Sequence, residues 1–319
     1  MAARAKIART AEPARSAAPS EAVVEGVRLT HADRVLYPEQ GATKLDLAAY
    51  YLAIADFILP HVEGRPTTLV RCPAGLGEPC FYQKHVKYWA PAPVRRVRIQ
   101  EKHKEGEYLI ADSRAALVGL VQIGILEIHT WNSVVADVER PNRLVFDLDP
   151  DTELPWEETV DGARLVRDRL AEIGFESFVK TTGGKGLHVV VPIEPGPSWD
   201  ECAAFSRAVS EAIAARDRRF ITTMSKAKRH GKIFLDWLRN VRGATSVSAY
   251  SPRAKPGAPV SMPVAWDQLG PDLKPAQFNL STAAAIVRRR KVDPWKRYAK
   301  VRQALTPEMI AIATGGKKI

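Results

Sequence analysis

The sequence contains no apolar run that approaches the ~20 residues a transmembrane helix requires, and its first residues lack the apolar core of a secretory signal. Cysteine is also scarce: Cys72, Cys80 and Cys202 are the only three, an odd number without zinc-ligand spacing. The first absence argues against the membrane-spanning classes, and the second against zinc-ribbon and disulfide-scaffold proteins. We therefore expect a cytoplasmic protein, in a reducing compartment and without a disulfide framework.

The charge of the chain is unbalanced, with 47 Lys and Arg against 36 Asp and Glu and a net charge of +11. Most of the excess lies in residues 288–319, which include ten basic and two acidic residues. Net charge alone therefore does not establish nucleic-acid binding, since such a run is also typical of a solvated helix face. The best local patch covers residues 216–242, with nine Lys or Arg against Asp217 and Asp236.

The 319 residues, 45% apolar and 26% charged, are enough for one large globular domain. We interpret residues 1–22 as a disordered tail, 23–300 as the folded domain and 301–319 as a C-terminal tail or linker. Caps at Thr43 with Asp46 and at Ser198 with Glu201, together with apolar periodicity, predict helices. These predicted helices cover residues 44–59, 113–128, 156–173, 198–215 and 283–291.

Two carboxylates two residues apart interrupt the apolar strand predicted at residues 143–150. Side chains alternate along a strand, so Asp147 and Asp149 point the same way with Cα atoms ~7 Å apart. Clustering them without a cation would raise their pKa values, whereas a divalent ion removes that cost, and Mg²⁺ or Mn²⁺ prefers oxygen ligands. The pattern indicates half of a metal site; the alternative is a strand end whose acids reach water before Pro150.

A third carboxylate, Asp236, lies in the apolar strand predicted at residues 233–238. Phe234 and Leu238 are its neighbours on the same face, so the charge is costly unless it is paired or bound to a metal. A basic loop rich in Gly and Ser follows at residues 239–255 and could wrap a triphosphate. This strand therefore predicts a second source of metal ligands.

A Gly-Gly-Lys-Gly turn at residues 183–186 connects two predicted strands, 178–182 and 187–192. Glycines let backbone amides turn towards an anion and Lys185 adds a positive charge, so the turn is a candidate phosphate site. A plain hairpin with one exposed lysine is the alternative. His188 alternates with apolar neighbours and faces the side that the turn overhangs. The adjacent rings of Phe81 and Tyr82 could likewise form a base-stacking platform or belong to the core.

Strand-borne carboxylates, a glycine-rich turn and basic loops are together the equipment for two-metal phosphoryl transfer, and hence for a nucleotidyltransferase. Three segments, Arg143–Pro150, Thr181–His188 and Ile233–Trp237, resemble the motifs of the polymerase domain of bacterial ATP-dependent DNA ligase D. That family belongs to the archaeo-eukaryotic primase superfamily and serves non-homologous end joining. The likeness extends from about Val24 to Ala299 and implies an α+β primase-type polymerase fold, with central, mainly antiparallel sheets flanked by helices.

The resemblance also implies roles for individual residues. Asp147, Asp149 and Asp236 would be catalytic and would bind two divalent ions, Mn²⁺ or else Mg²⁺. The nucleoside triphosphate would contact His129, Thr182, Lys185, His188, Lys232, Arg239 and Arg253, with His129 beside the sugar. Arg34 and Lys44 would hold a 5′-phosphate of DNA, and Phe81 and Tyr82 would stack on the DNA. Thr182 and Tyr82 stand where the family commonly has Ser and Phe, and Arg239 lies where the family varies.

The implied activity is primer extension, with ribonucleotides preferred, at gaps and ends of broken DNA in a bacterial cytoplasm, associated with the nucleoid. Its partners would be gapped, nicked or broken DNA with a 5′-phosphate, ribo- or deoxyribonucleoside triphosphates, a Ku-type end-binding protein, and ligase or nuclease modules, but no membrane. Two alternatives stay open. The first is a de novo primase, against which only the predicted 5′-phosphate pair Arg34 and Lys44 argues. The second is a non-catalytic DNA-end-binding module, against which the three carboxylates argue, because a pure binder does not need buried acids. The sequence shows no ligase motif with a nucleotidyl-accepting lysine and no nuclease-type His/Asp cluster.

Overall fold

This computed structural model describes residues 20–85 and 89–314. The helices are α1 (Lys44–Ala53), α2 (Ala55–Val62), α3 (Arg114–Gln122), α4 (Trp156–Ile173), α5 (Trp199–Arg216), α6 (Ala283–Arg289) and α7 (Pro307–Thr314). The first strands are β1 (Glu21–Val24), β2 (Val27–Thr30), β3 (Val35–Tyr37), β4 (Ala42–Thr43), β5 (Thr67–Arg71), β6 (Phe81–Gln83), β7 (Arg95–Gln100), β8 (Glu105–Ile110) and β9 (Ile125–Thr130). The later strands are β10 (Arg143–Pro150), β11 (Phe178–Thr181), β12 (Leu187–Pro192), β13 (Phe220–Ile221), β14 (Ile233–Asp236), β15 (Ser246–Val247) and β16 (Pro263–Val264).

The larger sheet has six strands in the order β13-β14-β10-β12-β11-β16. Its neighbours are antiparallel except for the parallel pair β13 and β14. Strand β10 lies at its centre, and its apolar residues are buried, as are all residues of β12. Such continuous apolar runs are typical of strands covered on both faces. Helix α4 packs on β10 and β12, and α5 on β10 and β13.

The smaller sheet has four strands in the order β15-β9-β5-β6. Strand β5 pairs antiparallel with both β6 and β9, and helix α3 packs between α1 and β9. The mixture of helices and antiparallel sheets confirms the predicted α+β class. Further two-stranded pairs form from β1 with β2, β3 with β4, and β7 with β8.

Amide side chains join the two sheets. Strand β14 ends at Asp236, and the side chain of Asn240 then takes the neighbouring place beside β10. Asn240 accepts from the backbone N–H of Val145 and donates to its carbonyl, both at 2.8 Å. Asn132, just after β9, donates to the Asn240 side chain at 3.1 Å and accepts from Arg143 at 3.0 Å. The junction is therefore made of buried, fully hydrogen-bonded polar groups.

The helix predictions are largely confirmed. Capping boxes form at Thr43 with Asp46 and at Ser198 with Glu201, and α4 has the predicted bounds, ending at Gly174 with φ +102°. Two predictions are wrong in extent. The helix expected at 44–59 breaks at Ile54 into α1 and α2, with Pro60 inside α2, and residues 125–128 belong to strand β9 rather than to α3. Pairing of β9 with β5 overrides the helical period there.

The chain ends differ from the predicted tails where the structure describes them. Residues 1–19 of the predicted N-terminal tail lie outside the described residues, and residues 21–22 belong to β1. The C-terminal segment is not a tail up to residue 314, because α7 packs on α5 and buries Leu305 and Ile310. No single described helix is long and apolar enough to cross a bilayer. The pair α1 and α2 passes that test only in combination and bends by 83° between the two helices.

The expectation of no disulfide is wrong, because Cys72 and Cys80 are joined by a disulfide. Cys72 follows β5 and Cys80 precedes β6, and Arg71 pairs with Phe81 across these strands. Strand register, which cysteine spacing alone does not reveal, therefore brings the two thiols together. Cys202 is free and buried in α5.

Candidate active site

The three predicted carboxylates lie together at one end of the six-stranded sheet. Asp147 of β10 is directly opposite Asp236 of β14 on one side and His188 of β12 on the other. Asp149 follows two residues later on the same face of β10. Asp147 and Asp236 are only 8% and 7% exposed, whereas the side chain of Asp149 opens to solvent. Strand register therefore assembles the acids that the sequence indicated.

A histidine and an arginine contact the Asp147 carboxylate. His188 Nε2 lies 3.2 Å from its Oδ1, and Arg239 Nε donates to its Oδ2 at 2.9 Å. Burial raises the pKa of Asp147, but His188 and Arg239 outweigh it and hold the pKa below the usual range. For Asp149, burial and the charge on Asp147 raise the pKa. Burial also raises the pKa of Asp236, with Arg239 opposing it. Asp147 therefore favours its ionised form, whereas Asp149 and Asp236 take up a proton more readily than an ordinary aspartate.

This donor set fits divalent metal ions. Arg239 places its guanidinium between two carboxylates, 2.9 Å from Asp147 Oδ2 and 3.2 Å from Asp236 Oδ2, so the gap between them already accommodates a cation. The available ligands are carboxylate oxygens, which Mg²⁺ and Mn²⁺ prefer. Two of the carboxylates have raised pKa values, which a divalent cation would lower. Asp147, Asp149 and Asp236 are the residues that could hold it.

The Gly-Gly-Lys-Gly turn overhangs the same end of the sheet. Gly183 has φ +71°, and a Cβ on Gly186 would lie 2.6 Å from the carbonyl oxygen of Leu148, so a side chain there would collide with β10. Lys185 Nζ donates to the Thr152 carbonyl, and Arg253 donates to the Thr182 carbonyl. Close packing against β10 and hydrogen bonds from Lys185 and Arg253 therefore fix the conformation of the turn.

A buried acid that the site prediction omitted, Glu127, connects His129 to Arg253. Glu127 is 2% exposed, and its Oε1 lies 2.5 Å from His129 Nε2 and 2.7 Å from Arg253 Nε. Its Oε2 accepts from the backbone N–H of Ala254 at 2.9 Å. Burial raises the pKa of Glu127, but His129 and Arg253 outweigh it and bring the pKa to about 2. The ionised Glu127 thus fixes both predicted nucleotide contacts.

The aromatic pair on β6 lies on the surface, so the core interpretation of these rings is wrong. Phe81 and Tyr82 are 46% and 69% exposed on the edge strand of the smaller sheet. The guanidinium of Arg71 lies over the Phe81 ring at 5.7 Å, and Tyr82 meets His129 edge to face at 5.9 Å. An exposed aromatic pair beside basic groups is a surface suited to nucleic-acid bases.

Arg34 and Lys44 are neighbours, since the Lys44 N–H donates to the Arg34 carbonyl at 2.8 Å. Arg34 is partly exposed and donates to the Pro73 carbonyl. Lys44 instead turns inward and donates to the Thr30 carbonyl and to both oxygens of Gln122. Burial, then the charge on Arg34, lowers the pKa of Lys44 to about 8. An anion at this corner would therefore meet Arg34 first.

Comparison with known proteins identifies the family to which this site belongs. The family described as "LigD, primase-polymerase domain" matches residues 43–295. The chain belongs to the LigD primase-polymerase family. Membership makes this domain a nucleotidyltransferase and accounts for the fold and for the two carboxylate strands that face each other in the larger sheet.

Full-length relatives of this LigD-type domain are longer proteins. The multifunctional non-homologous end joining protein LigD of Pseudomonas aeruginosa is 40% identical over 296 residues, 92% of this chain and 35% of the relative. The protein of the same name from Mycolicibacterium smegmatis is 35% identical, over 80% of this chain and 34% of the relative. The chain thus spans about a third of the length of these relatives.

A solved structure also matches the LigD-type domain. The polymerase domain of Mycobacterium tuberculosis ligase D in complex with DNA superimposes with a TM-score of 0.79 at 32% identity. The match covers 85% of this chain and 97% of that one. The similarity therefore extends over nearly the whole of that polymerase domain.

The LigD-type site has two residues that our sequence reasoning missed and one it placed differently. Besides Glu127, Arg229 lies 3.8 Å from Asp149 Oδ2 and stacks on Phe234 at 3.5 Å. Arg229 belongs to the basic run before β14, which could have indicated a role for it at the site. Lys232, which was assigned, donates to the Arg218 carbonyl and in this structure makes no described contact with the carboxylates.

Proposed function

We propose that this domain extends a DNA primer with nucleotides at gaps and ends of broken DNA during non-homologous end joining. The observation that carries the proposal is the register that sets Asp147 between Asp236 and His188, beneath the Gly-Gly-Lys-Gly turn. The family and the names of its relatives support the reaction class and the repair context. The new bond joins the primer 3′-oxygen to the α-phosphorus, the 3′-hydroxyl proton passes to water, the α–β phosphoanhydride bond breaks, and pyrophosphate leaves with the electron pair.

Asp147, Asp149 and Asp236 would hold two divalent ions, Mn²⁺ or Mg²⁺. When bound, these ions supply charge stabilisation for the attacking and leaving oxygens. Neighbouring groups fix the orientation of two of these carboxylates. His188 and Arg239 orient the Asp147 carboxylate, and the backbone N–H of Leu238 orients the Asp236 carboxylate. We propose that Arg239 also pairs with the phosphates of the nucleotide when the carboxylates bind metal.

The triphosphate would lie against the glycine-rich turn and the basic residues around it. Lys185, Thr182 and Arg253 meet at the turn, and Arg229 stands beside Asp149. His188 and Lys232 complete the predicted set, Lys232 after rotation away from its present acceptor. Basic groups at the turn and beside the carboxylates would orient phosphates in the manner that phosphoryl transfer requires.

His129 would contact the sugar, and Glu127 would fix its orientation. The His129 ring is held at Nε2 by Glu127, so its position relative to Arg253 is set before a nucleotide binds. A hydrogen-bonding group built to meet a 2′-hydroxyl discriminates strongly against a substrate that lacks it. On this basis we propose that ribonucleotides are preferred.

DNA would lie along the smaller sheet. Tyr82 and Phe81 offer exposed rings for stacking, and Arg34, with the charge of Lys44 behind it, is suited to a downstream 5′-phosphate. The superimposed mycobacterial polymerase domain was solved in complex with DNA. We further propose that a Ku-type end-binding protein and ligase or nuclease modules work with this domain at the bacterial nucleoid, in the cytoplasm.

Extension of a labelled primer tests this function. The substrate is DNA with a short gap and a downstream 5′-phosphate, supplied with Mn²⁺ and either ribo- or deoxyribonucleotides. We expect extension that favours ribonucleotides, weakens without the 5′-phosphate and is lost in Asp147→Asn. Asp161→Asn, an exposed acid on α4, is the matched control.

Other outcomes point to the alternatives. Binding of gapped DNA without extension by the wild-type protein would leave a non-catalytic end-binding module. Chain initiation without a primer, unaffected by the 5′-phosphate, would identify a de novo primase.

A further inference from the structure

A cavity lies at the opposite end of β10 from the carboxylates. Its volume is about 540 Å³, and its lining includes His61, Arg65, Asn142, Trp295 and Tyr298. Asn142 immediately precedes Arg143, the first residue of β10, so Asp147 lies ~13 Å further along the strand at ~3.3 Å per residue. Nothing proposed for nucleotidyl transfer uses this cavity, whose volume is typical of a small-molecule site.

One edge of the Arg65 guanidinium has no described partner. Its three described hydrogen bonds all come from Nη1, to Asn142 Oδ1 at 2.8 Å and to the carbonyls of Ser133 and Trp131 at 3.3 and 3.4 Å. Nε is buried without a hydrogen-bond partner, and so is His61 Nδ1 in the same cavity wall. In arginine, the Nε and Nη2 hydrogens point the same way, and this edge binds oxyanions through two parallel hydrogen bonds.

The charge around the cavity floor is also uncompensated. Arg65 and Arg143 are each 6% exposed, and within residues 20–85 and 89–314 no carboxylate pairs with either one. Arg143 donates to neutral oxygens and to Tyr298, a wall residue. Burial and the charge on Arg143 lower the pKa of Arg65 to about 9. Buried cations without a counter-charge are unfavourable, and an anion in the cavity would relieve that cost.

We propose that this cavity binds a small ligand through an oxyanion, either a phosphate or a carboxylate group. The free edge of Arg65 holds the oxyanion, and His61 Nδ1 donates to it in the tautomer that carries its hydrogen on that nitrogen. The stacked rings of Trp295 and Tyr298, whose centroids are 5.0 Å apart, line the space for the remainder of the ligand.

Three acidic residues also line the cavity, but among the described residues none forms an ion pair with Arg65 or Arg143. Asp56 pairs with Arg114 at 3.1 Å, and Asp293 accepts from the backbone N–H of Trp295 at 2.9 Å. Glu194 is exposed at the rim, together with Lys296 and Arg302. Because Glu194 is exposed, its charge can be reversed without disturbing the core.

Titration calorimetry on the full chain tests the site, with inorganic phosphate and acetate as separate probes. The variants are Lys185→Ala, which removes a cation from the turn at the catalytic end, and Arg65→Lys, which keeps the charge but loses the two-pronged edge. We expect a saturable site that persists in Lys185→Ala and is weakened at least tenfold in Arg65→Lys; in the wild type, phosphate can also bind at the glycine-rich turn. The probe that binds more tightly identifies the head group.

Two results would overturn the proposal: no saturable binding of either probe in Lys185→Ala, or unchanged affinity in Arg65→Lys. If circular dichroism shows that Arg65→Lys does not fold, Glu194→Lys decides instead. We expect this surface variant to bind severalfold more tightly, and unchanged affinity there would equally reject the site.

Discussion

The two sheets present opposite kinds of surface. In the larger sheet, Asp147 and Asp236 are nearly buried, and each is held by neighbouring donors. In the smaller sheet, Phe81 and Tyr82 lie on an edge strand with about half or more of their area exposed. The first arrangement costs stability but fixes charge in place, and the second leaves apolar surface for a partner to cover.

This difference indicates a division of labour. Groups that must hold charges in a fixed geometry are on central strands, where register sets their positions. Groups that meet a long polymer are on an edge, where successive bases have access. Variants in each sheet should therefore change different steps, and the following predictions test that separation from the largest expected effect to the smallest.

Asp147→Asn should lower the extension rate by at least about 10²–10³-fold, because it removes a charged metal ligand from the centre of the larger sheet. Affinity for gapped DNA, measured by fluorescence anisotropy, should stay within about twofold. A comparable loss of DNA affinity would show that the two sheets do not act separately.

Glu127→Gln should change the acid stability of the fold. The pKa of Glu127 is about 2 in the fold, below its ordinary value, so the stability it contributes is complete above about pH 4.5 and is lost as pH falls towards 2. Denaturant unfolding at pH values from 7 to 2 measures this effect. Over that range the free energy of unfolding should fall by up to about 3 kcal/mol less in the variant than in the wild type. Glu105→Gln, on the exposed β7–β8 hairpin, should retain the wild-type profile.

Tyr82→Ala should weaken DNA binding by about 1–3 kcal/mol, the usual value of one stacked base. Affinity for the nucleoside triphosphate, measured without DNA, should remain unchanged, and Tyr82→Phe should bind DNA like the wild type. If the affinity for the triphosphate falls together with the affinity for DNA, the two sheets do not act at separate steps.

Ser198→Ala should affect neither surface. It removes the N-cap of α5 and should cost about 1 kcal/mol of unfolding free energy. Extension rates should equal those of the wild type at temperatures where both are folded. Ser198→Thr, which keeps a capping oxygen, should recover most of the stability.

The sequence was most informative where the local pattern and the tertiary structure agree. The strands with Asp147 and Asp236 are apolar runs interrupted by carboxylates, two in β10 and one in β14, and α4 has both helical periodicity and a terminal glycine. The carboxylates and the glycine-rich turn were grouped by the chemistry they share, and the family resemblance then assigned a role to each residue. Spacing alone does not specify that β10 lies between β12 and β14.

What the sequence did not indicate depends on partners far along the chain. Glu127 becomes the link between His129 and Arg253 only because the 251–255 loop packs beside β9. The Cys72–Cys80 bond depends on the β5–β6 register, and the inward turn of Lys44 depends on acceptors on Gln122. The roles assigned to the individual site residues remain predictions, which the variants above test.

The amide junction between the sheets has a consequence for behaviour in salt. Asn240 and Asn132 connect β10, the loop after β14 and the end of β9 through uncharged side chains. Added salt screens phosphate contacts steeply but acts weakly on buried amide hydrogen bonds. High ionic strength should therefore release the nucleic acid while the amide of Val145 stays as slow to exchange with deuterium as before, so release needs no opening of the scaffold.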